Sequence, residues 1–381
     1  MKTRRKTLLY GLIVCLTLFL LFFAGGVEKR VLERMGLVVV IGYDELPRDR
    51  LLGTVVLYQI DPGAKEKVNV ISNTAFTSKG FRSAANVESA KKLAGGQIRV
   101  VTYHESLARK GIMNLVDSLS RDADIGTGIY LTVSKNKVLD LLSHRYPEFA
   151  NVGTYIYQNI KQNTNGERLI SSTLHEFLHD YYSVGKDPVL PYIAQQGDEL
   201  MINKIALFKD DRMVGTMSLQ DSFLIKLLQN RVSGGNIELK IDGKPLAKYL
   251  LKGGQGKPIH IVLEQIGSKS KINVVDPNTP TFEIKIKLEA RLQEIVTQID
   301  LSKPESLKAL QSEANKALEK LLQTFLKETQ KMGVDPVGFG LKYDAQVRHA
   351  KLTKEKWRGD YNKAKFNISV NTMIIRTGVT R

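Results

Sequence analysis

Cysteine and tryptophan are almost absent from this sequence. Cys15 and Trp357 are the only residues of these two types among 381. A single cysteine cannot form an intramolecular disulfide or build a cysteine-based zinc site, so packing must stabilise the fold. The interleaved aromatic and basic residues of a nucleic-acid reader are also missing, because the lysines are spread over every part of the chain. We therefore expect no disulfide framework and no nucleic-acid partner.

Internal repeats and low-complexity tracts are missing as well. Hydrophobic residues make up 43% and charged residues 25% of the chain, which excludes a disordered, collagen-like or polytopic membrane protein. A length of 381 residues predicts two or three domains of about 100–150 residues each. Lys and Arg outnumber Asp and Glu by 56 to 39, and this excess favours anionic neighbours such as phospholipid head groups or cell-wall polymers.

One long apolar run is present, at the amino terminus. Met1 to Lys6 is rich in basic residues, and Leu8 to Gly26 contains no charge. This pattern predicts that the chain is targeted to a membrane, with the basic end on the cytoplasmic side and residues 27 onward exported. We predict that this segment is an uncleaved transmembrane anchor. The alternative is a cleaved signal peptide, because the small residues Ala24 to Gly26 could form a cleavage site. The residues of the predicted anchor are Leu8, Leu9, Leu12, Ile13, Val14, Leu16, Leu18, Phe19, Leu20, Leu21, Phe22 and Phe23.

Beyond this run, short β-branched stretches alternate with stretches of helical periodicity. The alternation predicts an α+β fold, a mixed sheet-and-helix architecture that follows the membrane segment. Breaks in the pattern near 195 and 277 divide the exported part into three distinct domains. The predicted segments are 1–26 for the anchor or signal, 27–195 for an N-terminal α/β domain, 196–277 for a small middle α/β domain, and 278–381 for a C-terminal domain with a long helix packed on an antiparallel sheet.

The C-terminal segment opens with a strictly alternating strand and continues with a long amphipathic helix. Apolar side chains recur at strand spacing from Phe282 to Leu292. Ser302 and Glu305 have the spacing of a capping box before a helix that runs to about Met332. Its apolar stripe fits a coiled-coil or partner helix, but the flanking strands favour a helix that lies across the sheet of its own domain.

The string with the most chemical content is His175-Glu176-Phe177-Leu178-His179. It matches the HExxH pattern, in which two histidines one helical turn apart bind Zn²⁺ and the glutamate activates water. Glu199 follows at the distance where one class of these enzymes places its third ligand. The glycines and prolines in between oppose the helix that would carry this ligand, and Glu199 instead opens a predicted strand. A membrane-tethered zinc metallopeptidase is therefore the alternative function rather than the leading one.

No other pattern points to catalysis or to a cofactor. His104, His144, His260 and His349 are scattered, and no serine or cysteine lies in a nucleophile-elbow pattern. We assign no catalytic, cofactor-binding or metal-binding residue, and we expect a protein that is not an enzyme.

Six strings, in order along the chain, carry a resemblance to a known family. The first, Gly26 to Asp44, resembles the mature amino terminus of the Ger(x)C family, the C subunits of spore germinant receptors. The others are each similar to a family signature: Tyr103–Ile112, Arg121–Asp124, Pro188–Pro191, Ala206–Gly215 and Asp335–Gly340. The likeness covers nearly all of the chain after the apolar run, and the joint order of the strings is more specific than any one of them.

The resemblance implies three mixed α/β domains and a non-catalytic receptor subunit. It also implies a place on the outer face of the spore inner membrane, where the protein would act with A-type and B-type membrane-embedded subunits in nutrient-triggered germination. Family members are usually lipoproteins with an acylated cysteine where this chain has Gly26, so a thioether lipid cannot form there. We therefore predict anchoring by an uncleaved helix from Leu8 to about Phe23.

Overall fold

The structure, a computed structural model, contains two mixed β-sheets and the helices that pack on them. The described residues are 16–17, 35–58, 68–147, 149, 151–230, 232–251 and 256–377. Their strands are β1 (Met35–Leu46), β2 (Arg50–Tyr58), β3 (Val68–Ala75), β4 (Lys92–Ala94), β5 (Val100–His104), β6 (Tyr130–Ser134), β7 (Val189–Gln196), β8 (Glu199–Lys209), β9 (Arg212–Ser218), β10 (Asn236–Ile241), β11 (Ile259–Asp276), β12 (Thr281–Ile295) and β13 (Lys365–Thr377). Their α-helices are α1 (Ser78–Glu88), α2 (Glu105–Lys110), α3 (Met113–Ser120), α4 (Val138–Ser143), α5 (Val152–Asn165), α6 (Leu174–Tyr182), α7 (Leu219–Leu228), α8 (Pro304–Met332), α9 (Phe339–Gln346) and α10 (Lys354–Tyr361).

The larger sheet has the order β3-β2-β1-β5-β6-β7-β8-β9, with the short β4 beside β1. Its centre is parallel, since β1, β5, β6 and β7 run in one direction. Antiparallel hairpins extend both edges, β1-β2-β3 on one side and β7-β8-β9 on the other. The central strands are apolar over consecutive residues, and Val38 to Ile41 are all buried. Such runs are typical of a sheet that helices cover on both faces.

Helices do cover both faces of this sheet. On one face, α1, α2, α3 and α6 pack through side chains such as Phe81 and Phe177. On the other, α4, α5 and α7 pack through side chains such as Leu141, Ile156 and Leu224. The apolar cluster on this second face continues into the smaller sheet, so burial of one contiguous core joins the two halves of the chain.

The smaller sheet has the order β10-β11-β12-β13. The first three strands are antiparallel, whereas β13 runs parallel to β12 because the chain returns through α8 across one face. The antiparallel sheet predicted for 278–381 is therefore wrong, since β12 and β13 of that segment pair in parallel. Leu310, Ala314 and Leu318 of α8 are fully buried against that face. The opposite face carries exposed side chains such as Lys285 and Lys287.

The α+β fold class predicted from the sequence is confirmed. The position near 195 lies in β7, which pairs with β8 across a short turn, and the position near 277 lies in the turn between β11 and β12. Backbone pairing thus continues across both positions, because glycine, proline and aspartate mark tight hairpin turns as readily as they mark linkers. The division into three domains stays a prediction.

The long helix α8 begins differently from the prediction. Lys303 is its N-cap residue, Pro304 is its first residue, and no side chain caps it. The Ser302 hydroxyl donates instead to Asp300 Oδ1, at 2.5 Å. The predicted capping box is therefore wrong, because proline, which lacks a backbone N–H, fixes the start of the helix without one. The predicted position of the helix across the sheet of its own half is confirmed.

The predicted membrane anchor lies outside the described residues, apart from Leu16. Within the described part of the chain, no helix combines the length and the apolar composition needed to cross a bilayer. Anchoring by residues 8–23 stays a prediction.

Candidate functional site

The helix that carries the HExxH string, α6, uses its glutamate as a capping residue. Glu176 Oε2 accepts hydrogen bonds from the backbone N–H and the hydroxyl of Thr173, both at 2.9 Å, while the Glu176 N–H donates to that hydroxyl at 3.2 Å. His175 and His179 are exposed, and Glu199 begins β8 rather than a second helix. Among the described residues, no group of three or more His, Cys, Asp or Glu side chains is placed to hold a metal ion. The glutamate therefore has a structural role in α6.

A set of polar groups joins the larger sheet to the C-terminal helices. It consists of Asp187, Asp210, Asp335, Trp357 and Arg358, and we refer to it as the polar seam. Asp187 precedes β7, Asp210 lies in the turn between β8 and β9, Asp335 lies between α8 and α9, and α10 carries the other two. The polar seam thus connects segments that are far apart in the sequence.

Asp187 and Asp335 hold each other through reciprocal hydrogen bonds. The backbone N–H of Asp187 donates to the carbonyl oxygen of Asp335 at 2.9 Å. In return, the backbone N–H of Asp335 donates to Oδ2 of Asp187 at 2.8 Å. Both residues are buried, and buried backbone groups need partners, so each of the two segments satisfies the other.

The Asp335 carboxylate accepts three further hydrogen bonds. Gly338 N–H donates to Oδ1 at 2.8 Å, and Gly340 N–H donates to Oδ2 at 2.9 Å. The indole Nε1–H of Trp357 also donates to Oδ2, at 3.1 Å. One carboxylate therefore organises the turn at 335–340 and fixes it against α10.

Two cations of α10 neutralise the β8–β9 turn. Arg358 lies 2.7 Å from Asp210 Oδ2, and Lys354 lies 3.1 Å from Asp210 Oδ1. Burial disfavours the charged form of Asp210, but the hydrogen bonds from Arg358 and Lys354 outweigh it and lower the pKa of that carboxyl. Lys354 also lies over the ring of Tyr181, 4.6 Å from its centroid, which extends the contact to α6.

Two glycines let the backbones meet beside the polar seam. A Cβ atom on Gly340 would lie 2.3 Å from the Cα of Gly185 and 2.7 Å from the ring of Trp357. Gly185 also has a φ of +92°, which L-residues rarely adopt. Both positions therefore require glycine.

Asp211, next to the polar seam, ties the β8–β9 turn to the start of α3. Its carbonyl oxygen accepts the N–H of Ile112 at 3.1 Å, and its Oδ2 accepts the N–H of Met113 at 3.0 Å. A carboxylate at a helix N-terminus is stabilised by the unpaired N–H groups of the first turn. The strings Tyr103–Ile112 and Ala206–Gly215 therefore meet here.

The string Pro188–Pro191 pairs with the string Ala206–Gly215 through β7 and β8. Asp187, the residue before it, forms the reciprocal hydrogen bonds with Asp335 of the string Asp335–Gly340. Four of the six strings that carry the family resemblance thus converge on one region of the structure. Three residues outside the strings complete the region and were not predicted from the sequence: Asp187, Trp357 and Arg358. The lone tryptophan was the one signal available, because a single large aromatic residue among polar neighbours is often buried with its N–H bonded.

The buried carboxylates of the polar seam should make stability depend on pH. Burial raises the pKa of Asp335 from 3.8 to about 7, although backbone N–H groups at 338–340 partly offset this effect. Burial also raises the pKa of Asp187. The folded protein therefore keeps protons on these groups at pH values where the unfolded chain has lost them.

We expect the contribution of Asp335 and Asp187 to the free energy of unfolding to fall as the pH rises from about 4 to about 7, because unfolding then releases their protons. Urea unfolding across this range, followed by the emission of Trp357, measures the slope. The variant Asp335→Asn should flatten it, since the main titrating group is gone. The same pH slope in the wild-type protein and in Asp335→Asn would contradict this expectation.

The Arg121–Asp124 string lies away from the polar seam, beside a cavity of about 210 Å³ under α1. At its rim, Arg82 Nη2 and Lys79 Nζ each lie 3.2 Å from Asp122 Oδ2. Its floor is apolar and is formed by residues such as Val38, Ile41, Val55, Ile98 and Ile125. The charged groups at the rim neutralise one another, so the cavity itself favours no ligand class.

Comparisons with known proteins agree with the family resemblance of these strings. Residues 28–195 match the family model described as spore germination protein N-terminal domain, and residues 203–378 match the model described as spore germination B3/GerAC like, C-terminal. A Bacillus cereus relative, spore germination protein GerQC, is 25% identical over 360 residues, which cover 94% of this chain and 96% of the relative.

A solved structure gives the same result for the fold. The crystal structure of the GerBC protein is similar with a TM-score of 0.54 at 16% identity, over 88% of this chain and 96% of that one. At this identity the match speaks for the fold alone. The two family models together extend over nearly all of the described residues, and the chain belongs to the Ger(x)C family of spore germination proteins.

Proposed function

We propose that this protein is the non-catalytic C subunit of a spore germinant receptor. It acts with A-type and B-type membrane-embedded subunits to convert a nutrient signal into germination, from the outer face of the spore inner membrane. The observation that carries the proposal is the match of both halves of the chain to spore germination family models. The convergence of the family strings on the polar seam supports it, since these strings serve to build one scaffold rather than an active site.

A scaffold subunit needs a fixed arrangement of its two sheets. The contiguous apolar core and the polar seam together provide this, because the core supplies burial and the seam adds directional hydrogen bonds that specify one packing. Glu176, the would-be catalytic residue of the alternative, is engaged in the cap of α6 instead. The geometry therefore favours the receptor subunit over the zinc metallopeptidase.

Co-purification from spore membranes tests the proposal. The tagged chain is purified from detergent-solubilised spore membranes, and the proteins that accompany it are identified by mass spectrometry. We expect two polytopic membrane proteins in amounts comparable to the bait. An unrelated tagged protein of the same membrane serves as the control for carry-over.

Recovery of the chain alone from intact membranes would contradict the receptor proposal. Bound zinc is measured in the same preparation, because a content of about one ion per chain would favour the peptidase instead. We expect no stoichiometric zinc.

A further inference from the structure

The open face of the smaller sheet carries a compact group of lysines. Lys269 and Lys271 lie on β11, Lys285 and Lys287 lie on β12, and all four are exposed. Side chains alternate between the two faces of a strand, so these four point away from the face that α8 covers. We refer to them as the lysine square.

The strand register places the members of the lysine square directly opposite one another. Lys269 pairs with Lys287, and Lys271 pairs with Lys285. Like charges in directly opposed positions destabilise a sheet, because their Cβ atoms are only about 5 Å apart. A fifth lysine, Lys365 of β13, is exposed on the same face, opposite Thr281. This arrangement does not stabilise the sheet, which indicates that the lysines interact with a partner outside the protein.

Acidic neighbours neutralise the lysine square only in part. Lys285 pairs with Glu283 at 2.9 Å, and Glu289 lies further along β12. Among the described residues, Lys269, Lys271 and Lys287 take part in no ion pair. The centre of this face therefore keeps a positive potential that an anionic surface could neutralise.

Exposed apolar side chains lie on the same face. Met373 is 51% exposed and Ile375 is 43% exposed, both on the edge strand β13. Met373 is opposite Glu289, and Asn371, two residues before it, is opposite Lys287. Lysines flanked by exposed apolar residues are typical of surfaces that rest on a membrane, where the cations meet head groups and the apolar side chains reach the acyl boundary.

We propose that this face of the smaller sheet docks on an anionic phospholipid bilayer. The charges spread over neighbouring strands of an open sheet face, which suits a planar surface of head groups better than a single extended peptide. The charge complementarity acts only within about a Debye length, about 8 Å at physiological salt, so the face must lie against the bilayer. The inference goes beyond the proposed function, because it concerns lipid and requires no partner subunit.

Lysine footprinting of the full chain tests the proposal. The purified chain is reconstituted into vesicles of phosphatidylcholine alone or of phosphatidylcholine mixed with phosphatidylglycerol. A water-soluble acetylating reagent is added, and the modified lysines are quantified by mass spectrometry. We expect several-fold slower acetylation of Lys269, Lys271 and Lys287 in the anionic vesicles, and we expect high salt to remove the difference.

The covered face of the same sheet provides internal and mutational controls. Lys308, Lys320 and Lys327 are exposed on the outer side of α8 and should be acetylated equally in both kinds of vesicle. A triple variant, K269Q/K271Q/K287Q, should abolish the lipid-dependent protection of Lys365, whereas K308Q/K320Q/K327Q should retain it. The first variant also relieves like-charge repulsion, so it is expected to fold.

Equal acetylation of the lysine square in both kinds of vesicle would overturn the proposal. Protection seen only in native spore membranes would also overturn it and would assign the face to an acidic protein partner. Neither result would affect the receptor proposal, which depends on co-purification of partner subunits.

Discussion

Replacing Asp335 with alanine should lower the free energy of unfolding by about 3–5 kcal/mol, because each buried donor left without an acceptor costs about 1–3 kcal/mol. The donors in question are the N–H groups of Gly338 and Gly340 and the indole N–H of Trp357. The carboxylate lies at the centre of the contact between the two halves, so its loss should also loosen that contact. Urea unfolding of the purified chain, followed by the emission of Trp357, measures the change, and the lone tryptophan reports this region directly.

Asp344→Ala is the matched control for this substitution. Asp344 lies on α9, only a few residues away, and it is exposed. Its replacement should change the free energy of unfolding by no more than about 0.5 kcal/mol. If Asp335→Ala proved as mild as this control, the polar seam would not be a stabilising element.

Replacing Gly340 with alanine should be similarly damaging. The new methyl group would lie 2.3 Å from the Cα of Gly185 and 2.7 Å from the Trp357 ring, so the chain segments must separate. Overpacking of this kind costs about 1–3 kcal/mol, and more where backbone must move. We expect a loss at or above the upper end of that range, with a shift in the emission of Trp357 already in the folded state.

Gly359→Ala, in the helix that carries Trp357, should have the opposite effect on stability. Gly359 lies inside α10, and a Cβ atom there would meet nothing within 4 Å. Alanine should therefore stabilise the protein by about 0.5–1 kcal/mol through its better helix propensity. A pair of glycine substitutions that changed stability equally would show that the close approach of Gly185 and Gly340 is not a constraint.

The polar seam connects the larger sheet to the C-terminal helices. Asp187 and Asp335 are 148 residues apart in the chain, and Asp210 with Arg358 adds a second connection beside them. Hydrogen bonds of this kind are directional, whereas the shared apolar core is not, so the seam selects one relative arrangement of the two sheets. The proposed role as a receptor subunit requires such an arrangement.

Much of the architecture followed from local patterns. The alternation of β-branched and helical stretches predicted the α+β class, and Glu199 opens a strand as predicted. The same patterns gave a wrong prediction where one local sequence pattern is compatible with two local structures. The spacing of Ser302 and Glu305 predicted a capping box, but Pro304 fixes the start of α8 without one. The domain division near 195 and 277 stays a prediction, although strands pair across both positions.

The sequence by itself determined the class of fold, the family resemblance and the weakness of the zinc interpretation, because each depends on spacing along the chain. Only the tertiary structure decided that four of the family strings meet, that Asp335 gathers three N–H donors, and that lysines of β11 and β12 lie directly opposite one another. The physical reason is the same in each case. Hydrogen bonds between segments and the register between strands depend on contacts between residues far apart in the chain, and local periodicity carries no information about those contacts.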